Sequence, residues 1–307
     1  MGEAVTKVAI AQNGDSPRGF AFALGAYFFW GFLPFYMKAV AHIPPAEVVA
    51  HRIVWSVPIA GLVLLALGRT ADLRAALASP RMVSQAALTA ALISINWGIY
   101  VWAIGAGRAL DTALGYYINP LFSVFLGAVL LGERLNPLQM AAIALAGIAV
   151  GILTWEAGHL PWVSLSLALS WGFYAFFRKT LPIGPNQGFF LEVLILSVPS
   201  VIYILWREST GSGHFLETGL TDRALLLGCG FVTAVPLLIY ANGAKLLRLS
   251  TIGMMQYIAP TMIFVIAVFV FEEPFSRAKA LAFALIWTAL VLYSVAMLRQ
   301  ARRVRAG

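Results

Sequence analysis

Long apolar stretches recur along the chain, parted by short polar or proline-rich breaks. Crossing about 30 Å of hydrocarbon takes about 20 mostly apolar residues at about 1.5 Å rise each. Ten stretches fit: Phe20–Val40, Ala46–Leu67, Met82–Gly105, Thr112–Leu131, Leu138–Thr154, Trp162–Phe177, Gly188–Trp206, Arg223–Ala244, Thr251–Phe271 and Arg277–Leu298. The breaks carry helix-stopping chemistry. They include His42-Ile43-Pro44-Pro45, the arginine-bearing Gly68–Arg81, Gly132 to Pro137, the Pro182, Gly184 and Pro185 cluster, and Glu272-Glu273-Pro274. Arg207–Asp222 is the longest polar connection. Backbone groups facing lipid find no partner outside a helix, so each stretch predicts a transmembrane helix.

Composition sharpens this reading. Of 307 residues, 61% are hydrophobic and 11% charged, against about 45–50% and about 25% in soluble domains. One soluble core cannot enclose that much apolar surface, which excludes a soluble enzyme, a disordered chain and a fibre. The net charge of +8 would suggest nucleic acid on a soluble protein. Here the bases sit in short loops and at the C-terminus, so no nucleic-acid partner is expected. An N-terminus placed inside puts Lys7, Arg18, Arg69, Arg74, Arg81, Arg134, Arg178, Lys179, Lys245, Arg248 and the tail arginines 299, 302, 303 and 305 on the inner face. Lys38, Arg108, Arg207, Arg223, Arg277 and Lys279 fall outside. Fourteen against six predicts both termini in the cytoplasm, which an even number of spans also requires. Residues 1–19 then read as a retained cytoplasmic tail and residues 299–307 as a basic cytoplasmic tail. Cys229 has no second cysteine to pair with and reads as a packing residue.

The two halves of the chain resemble each other. Trp30-Gly31-Phe32 matches Trp171-Gly172-Phe173 at an offset of 141. Near an offset of 140, Arg108 matches Arg248, Tyr117-Ile118 matches Tyr257-Ile258, Pro120 matches Pro260, and Glu133 matches Glu273. Five spans per copy is an odd number, so the second copy enters the membrane inverted. The expected fold is an all-α integral membrane protein of ten helices in two inverted five-helix repeats, 20–154 and 162–298. Secondary transporters built this way hold substrate near the midplane between repeats.

Several motifs carry a family resemblance. They are Ala26 to Gly31; Pro45, Glu47, His51-Arg52 and Trp55-Ser56; Asn96-Trp97 with Trp102-Ala103; Leu114 to Leu121; Gly132-Glu133-Arg134; and Leu247 to Thr251 leading to Gln256-Tyr257-Ile258 and Pro260. On these the chain resembles the drug/metabolite transporter superfamily, in its EamA branch, and within that the RarD group. The resemblance implies two EamA repeats, an inner-membrane location and a permease role, with export favoured over import. It supplies no substrate.

Ionisable groups inside membrane helices are costly and mark functional candidates. Glu47, His51 and Trp55 follow an i, i+4, i+8 spacing and share one helix face. Arg52 lies about 9 Å along that helix. It either binds an anionic group of substrate, such as a carboxylate, or snorkels or braces against Glu47 or Asp111. Asn96, Trp97 and Tyr100 lie mid-span, where Asn96 can meet ligand or a neighbouring helix. Tyr116, Tyr117 and Asn119 precede Pro120, and Gln256 and Tyr257 precede Pro260. Each proline frees carbonyls that can face a cavity or merely bend the helix. Trp30 and Trp171 occupy matched positions that can wall a cavity or simply pack. These thirteen form the candidate substrate site, with Glu47 and Glu192 as candidate coupling carboxylates; Glu192 can also be interfacial. Glu133 and Glu273 read as helix ends, and His42, His159 and His214 as solvated loop residues. Gly147 and Gly151 form a GxxxG that suggests a homodimer face.

No G-x-x-x-x-G-K-[ST] phosphate loop is present, and no sequence cluster suggests a metal. No cofactor is expected. The favoured function is a carrier moving small organic metabolites or drug-like molecules across the lipid bilayer by alternating access. A passive channel or, much less favoured, a membrane-embedded enzyme are the alternatives. The charge asymmetry predicts that an impermeant thiol reagent applied to intact cells labels a cysteine placed at Ser212 and spares one at Arg303. Labelling at Arg303 overturns the orientation.

Overall fold

The computed structural model describes residues 16–68, 70–131, 135–180, 182–244, 246–247 and 249–306. Residues 1–15, with Arg69, Glu133, Arg134, Lys245 and Arg248, fall outside that set. The described residues form twelve helices and no strand. The first half holds α1 (Pro17–Ala39), α2 (Pro45–Ala66), α3 (Ala71–Leu77), α4 (Pro80–Gly105), α5 (Ala109–Leu131) and α6 (Pro137–Ala157). The second holds α7 (Trp162–Thr180), α8 (Pro185–Ser209), α9 (Leu220–Ala244), α10 (Leu249–Met255), α11 (Ile258–Phe269) and α12 (Arg277–Ala306). Eight are long and apolar enough to cross a membrane: α1, α2, α4, α5, α6, α8, α9 and α12. α7 and the α10–α11 pair complete ten crossings. Leu62, Leu65, Val198, Ile202, Leu205 and Val291 are exposed on the bundle surface, an apolar belt suited to lipid.

Local chemistry explains the boundaries. Helices α1, α2, α4, α6 and α8 all begin on a proline, whose fixed φ and missing N–H suit a first turn. Asn136 and Gln139 bond reciprocally to cap α6, and Gly158 at φ 70° ends it in the left-handed region.

Three boundaries depart from expectation. The polar segment after the second span contains the short helix α3. The ninth span is broken between Met255 and Ile258, because Pro260 cannot donate to the Gln256 carbonyl and its ring crowds that turn. The equivalent Pro120 lies inside an unbroken α5. Finally, the basic tail is not a separate segment. Residues 299–306 continue α12, since no Gly or Pro interrupts them and Arg, Gln and Ala are good helix formers.

The halves are interleaved. α2 packs between α8 and α9, α5 against α7 and α11, α1 against α9 and α11, α4 against α7 and α8, and α6 against α12. Every one of these interfaces joins one half to the other. Exchanging the halves maps the pattern onto itself, as inverted repeats require. Glu273 does more than end a helix. Nearly buried, its carboxylate accepts the Ala109 and Leu110 N–H groups at 2.6 and 2.8 Å and so caps α5.

The repeated Trp-Gly-Phe motif has a packing reason. A Cβ on Gly31 would lie 2.4 Å from the Met262 sulfur of α11, and one on Gly172 would lie 2.4 Å from the Phe122 ring of α5. Met262 and Phe122 are themselves 140 residues apart, so these are one contact made twice. Gly147 and Gly151 instead face outward with no atom near them. Gly31→Val and Gly172→Val should each destabilise the protein by about 1–3 kcal/mol through overpacking. Thermal unfolding in detergent should show similar losses for both; an unchanged Tm for either variant contradicts the shared contact.

Candidate functional site

A cavity of about 170 Å³ lies mid-bundle, lined from both halves. The first half contributes Trp30, Arg52, Asn96, Trp97, Tyr100, Tyr116 and Asn119, and the second contributes Trp171 and Gln256. These nine of the thirteen expected site residues share one wall system. Tyr27, Leu33, Thr233, Leu237, Tyr240, Ala259, Pro260 and Ile263 complete it. Tyr240 had a readable signal, because it stands 140 residues after Tyr100. Tyr27 and Thr233 had none that separates them from ordinary packing residues.

Arg52 sits seven residues into α2, about 10 Å along it, and is only 3% exposed. Its Nε donates to Thr233 Oγ1 on α9 at 2.9 Å, and Cζ lies 5.0 Å from the Trp97 ring centroid. Its Nη1 has no hydrogen-bond partner. Among the described residues no carboxylate pairs with it. The candidate braces are engaged elsewhere: Asp111 with Arg108 at 2.6 Å, and Glu47 with Arg207 and His214. The Tyr100 hydroxyl and Asn119 Oδ1, on the same cavity, are also buried without partners.

Aromatic rings form the rest of the wall. Tyr27, Trp30 and Tyr240 pack as a triad with centroids 5.5 to 5.6 Å apart. Tyr100 packs on Tyr116 at 5.9 Å. Asn96 spends its amide on helix contact, donating to the Leu167 carbonyl and Ser170 Oγ of α7 at 3.1 and 2.9 Å.

Four expected residues stand apart from the cavity. Tyr117 bonds Thr261 at 2.7 Å and packs toward Phe283 and Trp287. Tyr257 lies beside Gln256 but not on the cavity wall. His51 and Trp55 do share a face, with Trp55 Nε1 donating to His51 Nδ1 at 3.0 Å. That face turns away from Arg52 and is covered by Phe215, stacked on His51 at 5.1 Å.

Phe215 belongs to the 210–219 connection, which is tied down. Glu208 accepts its N–H at 3.0 Å, and Arg223 Nε donates to its carbonyl at 2.9 Å. His214, expected in solvent, instead donates its backbone N–H to Glu47 Oε1 at 2.7 Å and sets Nδ1 at 2.9 Å from Oε2. Arg207 reaches the same oxygen at 3.3 Å. Glu47, 1% exposed, therefore fastens the start of α2 to the end of α8 and the connection after it. His42 pairs with Asp222 at 2.9 Å at this same end, and His159 is exposed.

Glu192 is buried within the bundle, 1% exposed. It accepts from Thr89 at 2.8 Å and Tyr174 at 3.2 Å, and pairs with Arg178 at 3.3 Å. It stands 140 residues after Arg52, so the two repeats carry opposite charges at equivalent places.

The EamA-like transporter family model matches twice, over residues 17–155 and 161–295. An uncharacterized transporter of Vibrio cholerae is 41% identical over 295 residues, covering 95% of this chain and 97% of that protein. Protein RarD of Streptomyces exfoliatus is 38% identical over 296 residues, covering 96% and 94%. One crystal structure of a protein aligns with TM-score 0.57 at 20% identity, over 92% of this chain and 98% of that one, and supports the fold alone. With both halves matched and such relatives spanning nearly the whole length, the chain belongs to the EamA-like transporter family, alongside its RarD members, and is a multi-pass membrane transporter rather than an enzyme.

Proposed function

We propose that this transporter carries a small organic molecule by alternating access, with substrate held in the central cavity and its anionic group on Arg52. The observation that carries this reading is a buried guanidinium beside a cavity shared by both repeats, with no carboxylate partner among the described residues. Such a charge is costly without a counter-ion, and a substrate anion is the natural one. The orientation proposed is the one the basic residues favour, with both termini cytoplasmic and the protein in the inner membrane. Export rests on the family resemblance. In that orientation the Glu47–Arg207–His214 cluster closes the outer end, so Glu47 serves the gate rather than touching substrate. Glu192 is the proposed coupling carboxylate. The proposed homodimer face is the exposed Gly147–Gly151 edge of α6.

Flux into liposomes, measured with and without an imposed pH gradient, separates a proton-driven carrier from a passive pore. A charge-assisted hydrogen bond contributes about 1.5–3 kcal/mol, so Arg52→Gln should lower flux per folded molecule about tenfold or more. Arg52→Lys keeps the charge but loses the planar fork, and should fall between. Folded yield from detergent chromatography is the paired measurement. Undiminished flux per folded molecule in Arg52→Lys and Arg52→Gln alike removes Arg52 from substrate binding. Glu192→Gln keeps the shape and cannot titrate. It should abolish the dependence of flux on the pH gradient while exchange of substrate persists. Undiminished gradient-driven flux excludes Glu192 from coupling.

A further inference from the structure

The cavity carries a more specific statement about its ligand, and it rests on the reading that this cavity is the substrate site. Among the residues lining it, Arg52 supplies the single ionised side chain, and Asp and Glu are absent. The buried acids of the bundle are committed elsewhere: Glu192 to Arg178, Thr89 and Tyr174; Glu47 to Arg207 and His214; Glu273 to the start of α5. A ligand entering with an ammonium group would bury that charge with no carboxylate to meet it. Aromatic faces at Trp30, Trp171 and Tyr240 attract a cation, but more weakly than desolvation opposes it. A ligand with one anionic group meets the opposite situation. Its oxygens find Arg52 Nη1 and the Tyr100 hydroxyl, both buried and without partners. Planar guanidinium and carboxylate match in geometry.

Size narrows the ligand further. The cavity measures about 170 Å³, and an apolar cavity of about 150 Å³ accommodates one benzene. Seven of the seventeen lining residues are aromatic, which suits a flat apolar body. Asn119 Oδ1, also unpartnered, offers an acceptor for one hydroxyl or amide N–H on that body.

We propose that the cavity selects a compact organic monoanion, of about one ring's volume with a single carboxylate, and discriminates against zwitterions, cations and multi-ring compounds.

Binding to the purified full chain in nanodiscs tests this without reference to flux. One-ring probes of different charge are benzoate, phenylalanine, benzylamine and benzyl alcohol, read by calorimetry. Sodium nitrate and anthracene-9-carboxylate serve as the small inorganic anion and the oversized acid. Benzoate should bind at least tenfold more tightly than phenylalanine, benzylamine or benzyl alcohol, and anthracene-9-carboxylate should show no saturable binding. Arg52→Gln should remove the preference for benzoate over benzyl alcohol, and Arg52→Lys should retain part of it. Phenylalanine or benzylamine binding as tightly as benzoate overturns the proposal. So does nitrate competing on equal terms, which marks an inorganic-anion site, or saturable binding of the three-ring acid. The ligand series uses the native chain, so it stands even if a variant fails to fold. If benzoate binds but no carrier flux is seen, alternating access fails and the ligand class survives. If a zwitterion is carried and benzoate is ignored, the ligand class fails and the transporter reading survives.

Discussion

A guanidinium held in the middle of a membrane bundle by one threonine and one indole face is a constraint that the surrounding structure must answer. Arg52 is buried between α2, α4 and α9 with Thr233 and Trp97 as its neighbours. Charge in so dry a place is tolerable where a cavity admits a polar visitor. The aromatic wall supplies hydroxyls and π-faces without adding a competing ion. Glu47, Asp111 and Glu192 are each neutralised by their own arginine. Had any of these acids bonded Arg52, the cavity would have closed into an ordinary structural ion pair.

The two repeats share a scaffold and divide the chemistry. Trp30 and Trp171, and Tyr100 and Tyr240, occupy matched places around the cavity. Arg52 and Glu192 are matched in position and opposite in sign, and the second faces Arg178 instead of the cavity. The Trp-Gly-Phe motif is the scaffold's mark, because each glycine admits a helix from the other half. Symmetry thus governs backbone approach and part of the aromatic wall, while the charges diverge.

What was legible in the sequence follows from range. Apolar length identified the spans, and proline placement identified their starts, because both act over one helix. Arg52 stood out because charge in a span is rare. The i, i+4 face of Glu47, His51 and Trp55 was readable too, and the Trp55–His51 bond realises it. The direction that face takes was not readable, since one helix does not say which neighbour covers it. Phe215 and His214 lie 160 or more residues from the side chains they meet, in a connection that reads as solvent-exposed. Glu273 capping α5 is invisible for the same reason: its partners are 163 and 164 residues distant. The broken ninth span was half legible. Pro260 announced a disturbance, but Pro120 announced the same one and α5 absorbs it.

The pairing of α6 with α12 has a mechanical meaning. These fifth helices of each repeat pack against each other, and the small residues Ala142, Ala146, Ala282 and Ala289 are among those they bury. Their grip on the helices that line the cavity is slighter. They add one more seam between the halves, beside those made by α1, α2, α4 and α5, and this seam contributes no residue to the cavity wall. A change in the shape of that wall therefore need not break it.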